Sequence, residues 1–392
     1  MARSRLFPAI ALLVCMAGGA DAATAKKPYP VYWVDVSTST QSIPGMGGGG
    51  FIAGLFGKKL TGPQKEMMLR LVSPHTATEP KADHLVPAGF SPGPSLPLRT
   101  PAADPGDERV EAEDVPPPME KPKARLLIYW GCGETVRKGQ PKILDTASMT
   151  PAAFAKSFAG RTPTRQSPPS PKKGWTYARW PERERGGDIA ADSSLVGEHR
   201  VEGSYLPVPI QFSLSPAQDF MAPVEFSPLQ KGSNGSLLVS WKPIPTATAY
   251  YAVAMGHDEA KGETILWSSS EVMESGFGLL DYLTPSDVAR FTKEKVLLPP
   301  QKTSCGIPPV FPADGGGVLT FIAYGEEQNF SRPPRPKAPK KPWNPDWTVK
   351  VRYKSTAILP LITPDDSLPK GETKGDSPAK GVGDAIRGIF GW

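Results

Sequence analysis

The sequence predicts an all-β protein, arranged as two β-sandwiches in series. Three observations predict it. Short runs rich in β-branched and aromatic residues recur along all 392 residues. Between them stand 47 prolines and 39 glycines, about a fifth of the chain, which favours many turns and long connections over long helices. Nowhere do strands alternate with helical segments as a parallel α/β sheet requires.

Each element follows from its own residues. PYPVYWVDVSTST gives a strand over 30–39, with Trp33, Asp35 and Ser37 on one side and Tyr32, Val34 and Val36 on the other. EMMLRLVSPH (66–75) gives a second strand, and ARLLIYWGCGETV (124–136) the strongest strand of the first half. TPAAFAKSFAG (150–160) is a short helix with Thr150 as cap, Pro151 in its first position and Gly160 at its end. VEGSYLPVPIQFSLS (201–215) alternates and reads as one strand, whose prolines place it at an edge. The second half gives three strands between Ser233 and Val272, a helix over 284–295 capped by Thr284, and strands over 316–326 and 346–358.

The expected units are a sandwich over 23–222, a second over 223–360, and a disordered tail over 361–392. The first carries a glycine-rich loop (43–57) and a proline- and acid-rich loop (91–123). Before them, Arg3 and Arg5 precede the apolar run Leu6 to Ala17, and Ala20-Asp21-Ala22 follows. That is the pattern of a secretory signal peptide cut after Ala22, and it points to a periplasmic or secreted protein. A rival reading makes Cys15 a lipoprotein cysteine, but the bulky Val14 precedes it. Beyond residue 22 no apolar run reaches 18 residues, so no transmembrane helix is expected.

The net charge of +6 becomes +5 once the leader takes two arginines and one aspartate away. Nucleic-acid binding needs basic charge gathered on one face, so nucleic acid is not an expected partner. Cys132 and Cys305 remain after cleavage, an even pair expected to form a disulfide in an oxidising compartment. Two buried free thiols are the other reading.

Part of the second half resembles a known module. GSLLVSWKPIPTATAYYAVAMG is similar to the B and C strands of a fibronectin type III domain. Trp241 matches the core tryptophan, Tyr250 and Tyr251 the aromatic C strand, and VLTFIAYG the F strand. The similarity spans about 223–358, with an insertion at 274–315 of a helix and the Cys305 loop. The resemblance implies an Ig-like sandwich with a binding or spacing role and no reaction of its own.

No catalytic site, cofactor or metal is expected. Gly45, Gly47 and Gly50 spell a formal G-x-G-x-x-G, yet four residues separate the strand from it and a poor helix former follows. A phosphate-binding loop ending at Gly57-Lys58 would need glycine where Ile52 stands. His75, His84, His199 and His257 are far apart in sequence and offer no ligand spacing. Ser170-Pro171-Lys172-Lys173 lacks the helix that an S-x-x-K nucleophile uses.

What remains points to contact surfaces. FIAGLFG (51–57) recurs as AIRGIFG (385–391), so Phe51, Ile52, Leu55, Phe56, Ile386, Ile389, Phe390 and Trp392 are candidate contacts. They would dock on the protein's own sandwich, on a partner, or interfacially on a membrane surface. Trp175, Tyr177 and Trp180 stand among basic residues, a pattern that stacks on sugar rings and pairs with acidic substituents; the same rings could pack on the sandwich edge. The expected function is an exported binding or scaffolding protein whose partner is an envelope protein, a glycan or the membrane surface. The alternative is an exported hydrolase or accessory factor, for example one acting on glycans, with a site assembled from distant residues.

Overall fold

The computed structural model describes residues 27–41, 62–91, 93–101, 125–145, 147–182, 189–312, 316–337 and 343–361. The leader, the glycine-rich loop, most of the acid-rich loop and the tail lie outside them. Among the described residues the protein is all-β, with sixteen strands and two α-helices.

Nine strands form one sheet. In spatial order they are β6 (Lys142–Asp145), β5 (Arg125–Trp130), β13 (Glu263–Ser268), β12 (Ala249–Asp258), β15 (Val318–Arg332), β16 (Trp347–Pro360), β1 (Val31–Gln41), β2 (Gln64–Ser73) and β7 (Thr176–Trp180). Two pairings are parallel, β5 with β13 and β1 with β16. Each joins a strand from before residue 222 to one from after it. The sheet is therefore continuous across the boundary expected at 222/223, and β5 and β6 belong to it beside β13 rather than beside the other N-terminal strands.

Two smaller sheets pack on one face of the large one. The first has the order β4 (Ser95–Leu98), β3 (Ala82–Leu85), β8 (Gly197–Gly203), β9 (Ile210–Leu214). The second has β10 (Gln230–Lys231), β11 (Leu237–Ser240), β14 (Ser304–Ile307). A single hydrophobic cluster fills the space, with Tyr32, Leu69 and Val351 from the large sheet against Val201, Phe212, Val239 and Trp241. Trp241 sits 4.8 Å from Phe321 and 5.5 Å from Tyr250, ring centre to ring centre.

The opposite face is covered at its centre and at one end. Because strand side chains alternate, Tyr250 and Tyr251 enter different cores. Tyr250 joins the cluster under the small sheets, and Tyr251 joins Val253, Ile322 and Phe291 of α2 (Pro285–Lys293). At the β5–β6 end, Leu126, Ile128 and Leu144 form a third cluster with Phe154 and Phe158 of α1 (Pro151–Phe158). Thr150 caps α1 and Thr284 caps α2, each accepting a backbone N–H, as the sequence predicts.

Three elements differ from expectation. The 91–123 stretch is not wholly a loop: Ser95–Leu98 is β4, paired with β3, and its Leu96 and Leu98 enter the main core. The 201–215 stretch is not one strand but the hairpin β8–β9, because Pro207 and Pro209 cannot donate to a ladder and fall in the connection. The Cys305 segment is not a loop but β14, paired with β11. It carries the expected disulfide. Cys132, just beyond β5, is bonded to Cys305 across a Cα–Cα distance of 5.0 Å. Gly133 donates to the carbonyl of Gly306 at 2.9 Å beside it. A Cβ on Gly306 would come within 3.0 Å of the Gly133 carbonyl oxygen, so a side chain there would push the Gly133 backbone back by a few tenths of an ångström.

Candidate functional site

The rest of the large sheet's face opposite the small sheets, over β16, β1, β2 and the far end of β15, mixes charged side chains with buried rings such as Trp33. The alternation that sends Tyr32, Val34, Val349 and Val351 into the core sends Trp33, Asp35, Lys350 and Arg352 the other way. None of the three hydrophobic clusters includes Trp33, Asp35, Arg70 or Arg352.

Arg352 is the centre of this face. It stands opposite Asp35 in the parallel register and donates to both carboxylate oxygens, at 2.6 and 2.7 Å. Arg70 of β2 donates to the same carboxylate at 2.7 Å. The Arg352 guanidinium lies 4.7 Å from the Trp33 ring centre and 4.3 Å from that of Tyr282. Burial alone would lower the Arg352 pKa, but the Asp35 bonds and charge raise it above its ordinary value. Burial, followed by the Asp35 charge, holds the Tyr282 phenol well above its usual range. The Tyr282 hydroxyl donates to the Val36 carbonyl at 3.1 Å, which fixes the ring over the strand.

Two lysines extend the pattern. Lys350 pairs with Glu327 at 2.5 Å and stands 5.1 Å from the Trp33 ring. Lys354 pairs with Asp281 at 2.8 Å and stands 4.3 Å from the Tyr282 ring. The result is a ladder of cations and aromatic rings, each cation held by a carboxylate. Such a face supplies fixed charge and rigid ring area.

A second feature lies on the core side of β16. The register of β15 on β16 shifts between Tyr324 and Glu327, so Gly325 and Glu326 stand opposite the single residue Tyr353. A cavity of about 200 Å³ opens there, lined by Asp219, Thr246, Thr248, Glu326, Gln328 and Tyr353 among others. Asp219 is already engaged by the Ser194 hydroxyl (2.6 Å) and the backbone N–H groups of Leu195 and Phe220 (both 2.8 Å). The Tyr353 hydroxyl is buried and has no hydrogen-bond partner among the described residues.

The sequence-expected contact residues fall apart. Trp180 packs against the main core, whereas Tyr177 lies on the opposite face of β7, two residues from Trp175. The Trp175 ring is half-buried and carries the Lys172 ammonium 4.2 Å from its centre. The three rings therefore share no single platform. Phe51, Ile52, Leu55, Phe56, Ile386, Ile389, Phe390 and Trp392 lie outside the described residues. Among the described residues no group of three or more His, Cys, Asp or Glu gathers to hold a metal, and no helix is long and apolar enough to cross a membrane. His84 and His199, distant in sequence, do meet, with Nε2 of one 2.9 Å from Nδ1 of the other.

Sequence reading missed the Arg352 centre, though a signal was present. In WTVKVRYKST the cations Lys350, Arg352 and Lys354 recur at period two, opposite Val349, Val351 and Tyr353. That pattern marks a strand with one polar face.

Scans of this chain against protein-family models and against curated proteins find no match. The functional reading therefore rests on the chain itself.

Proposed function

We propose that this chain is an exported binding or scaffolding protein without a reaction of its own, and that its partner, an envelope protein, docks on the sheet face around Arg352. The observation that carries the reading is the set of partly exposed side chains Arg70, Lys350, Lys354 and Tyr282 held rigidly around the buried Arg352–Asp35 pair, on a sheet face outside the hydrophobic clusters. Trp, Tyr and Arg supply most of the energy of protein interfaces, because they bury large rigid area and keep directional donors.

The architecture we propose is two sandwiches joined edge to edge through β16 and β1. The C-terminal one is of the fibronectin type III kind. Its matched C and F strands, β12 and β15, are neighbours, and its matched B strand, β11, lies in the opposing sheet with Trp241 between them. Export rests on the charged, apolar and small-residue segments before Ala22. A glycan partner has less support, since Trp175, Tyr177 and Trp180 share no face and Lys172 already occupies the Trp175 ring. The alternative of an exported hydrolase would draw on the cavity beside Tyr353.

The test is crosslinking in the native host followed by fractionation, with Lys350→Gln and Lys354→Gln combined. These changes remove charge and keep a polar side chain about one atom shorter. The expected result is a folded protein that loses its crosslinked partner, while Trp175→Ala keeps it. An unchanged crosslinking pattern in the double variant would sink the proposal, as would retention on acidic glycan that depends on Trp175.

A further inference from the structure

Tyr32, His84 and His199 form a hydrogen-bonded chain in the interior, between the large sheet and the four-stranded sheet. The Tyr32 oxygen is 2.8 Å from His84 Nδ1. His84 Nε2 is 2.9 Å from His199 Nδ1. His199 Nε2 is 2.7 Å from the Leu195 carbonyl oxygen. The three side chains belong to residues with at most 1 % exposure for the imidazoles and none for the tyrosine.

Every proton in this chain follows from its last member. A carbonyl only accepts, so His199 Nε2 carries a hydrogen. In the neutral ring Nδ1 then accepts, so His84 Nε2 carries the next hydrogen. His84 Nδ1 accepts in turn, and the Tyr32 hydroxyl donates to it. All three groups are neutral, and each polar atom along the line has a partner.

An added proton has no good place. On His199 Nδ1 it would face the His84 N–H. On His84 Nδ1 it would turn the Tyr32 hydrogen out of its bond to that ring. The walls are aromatic: Phe212 of β9 stacks on His199 at 4.9 Å and lies 6.1 Å from His84, and Phe330 of β15 backs Phe212 at 5.3 Å.

The titratable neighbours do not offset this. Tyr205, after β8, acts on Tyr32 and is itself neutral at ordinary pH. Burial lowers His199 most; the Leu195 carbonyl, then Glu198 of β8 and Asp219 after β9, favour its charged form, but burial outweighs them. Asp219 spends its oxygens on Ser194, Leu195 and Phe220. Asp83, beside His84 on β3, is exposed and accepts from Ser95 at 3.1 Å, and Arg200, beside His199 on β8, pairs with Glu202.

We propose that Tyr32, His84 and His199 form an acid-operated latch that ties the four-stranded sheet to the nine-stranded sheet while neutral and releases it when protonated. The direction is set by burial. It lowers both imidazoles, His84 further through its histidine neighbour, so the folded protein resists a proton that the unfolded chain takes up near pH 6.5. The stabilisation is complete above that pH and is lost as pH falls below it, toward the lowered folded values. For the pair, the unfolding equilibrium constant rises by up to about a hundredfold per pH unit in that window.

The test compares the full chain with a His84→Gln/His199→Gln double variant, which keeps a donor and an acceptor at each position and cannot titrate. Amide hydrogen exchange of β3 and β8, corrected for intrinsic rates, is followed from pH 7.5 to 5 beside urea unfolding. The expected outcome is loss of protection and a falling urea midpoint in the native protein below about pH 6.5, with a flatter response in the variant. Equal pH slopes in the two proteins would overturn the latch. Should the variant not fold at pH 7.5, imidazole NMR of the native chain decides. Rings neutral until the fold gives way support the latch, and rings that charge near pH 6.5 in an unchanged fold refute it.

Discussion

Arg352 and Asp35 face each other across the parallel seam between β16 and β1, and two hydrogen bonds of 2.6 and 2.7 Å join them. The pair sits where the C-terminal strand meets the N-terminal one, 317 residues away in sequence. Both side chains are almost wholly buried, at 7 % and 6 % exposure. A buried pair of this kind specifies an arrangement more than it stabilises one, yet removing one partner strands the other. Asp35→Asn is therefore expected to cost about 3–5 kcal/mol. Asp35→Leu with Arg352→Met is expected to recover much of that. Urea unfolding of Asp35→Leu, Arg352→Met and their double measures the coupling; strict additivity would show that the seam does not depend on this pair.

The Cys132–Cys305 bond spans 173 residues of sequence and ties the end of β5 to β14. Closing so long a loop restricts the unfolded chain, a gain of roughly 5 kcal/mol in the chain-entropy model. Reductant should lower the urea midpoint accordingly, and Cys305→Ser should remove the sensitivity. Peptide mapping without reductant should recover the two cysteines linked. A midpoint indifferent to reductant would refute the stabilising role.

At the β15 bulge, Gly325 leaves no room for a side chain. A Cβ there would stand 2.7 Å from the Tyr353 Cβ and 3.1 Å from its carbonyl oxygen. Gly325→Ala is expected to destabilise by about 1–3 kcal/mol through overpacking. Tyr353→Phe is expected to be neutral or stabilising, since the lost hydroxyl has no partner among the described residues. A large loss in Tyr353→Phe would mean that the cavity holds a group bonded to that hydroxyl. Thermal unfolding distinguishes the two.

Helix α2 begins at Thr284, whose side chain accepts the Asp287 N–H at 3.1 Å and donates to its carboxylate at 2.8 Å. Asp287 also accepts from Thr164 and Arg290, so the cap anchors the segment after α1 as well. Thr284→Ala should cost about 1 kcal/mol, and Thr284→Ser much less. Equal losses in the two variants would show that the methyl group, rather than the hydroxyl, matters there.

The sequence by itself determined the longer strands, the caps and the class, and missed the short strands β3, β4, β6 and β7. Alternation, β-branching and turn residues act over a few positions, so β1, β2, β12 and both helix starts were legible. Trp241 was legible as core through its match to the B-strand tryptophan of a fibronectin type III domain, and lies in the core. Pairing was not. Nothing local in DWTVKVRYKSTAI says that it will lie parallel to VYWVDVSTST, and nothing local in RLLIYW says that it will join ETILWS. Those contacts are decided by which faces must be buried together, a property of the whole chain. The Arg352–Asp35 centre, the His84–His199 contact and the bulge cavity all arise at such long-range pairings, so only the tertiary structure could assemble them. The sequence placed each residue on a strand face, and the packing of distant strands decided what that face would meet.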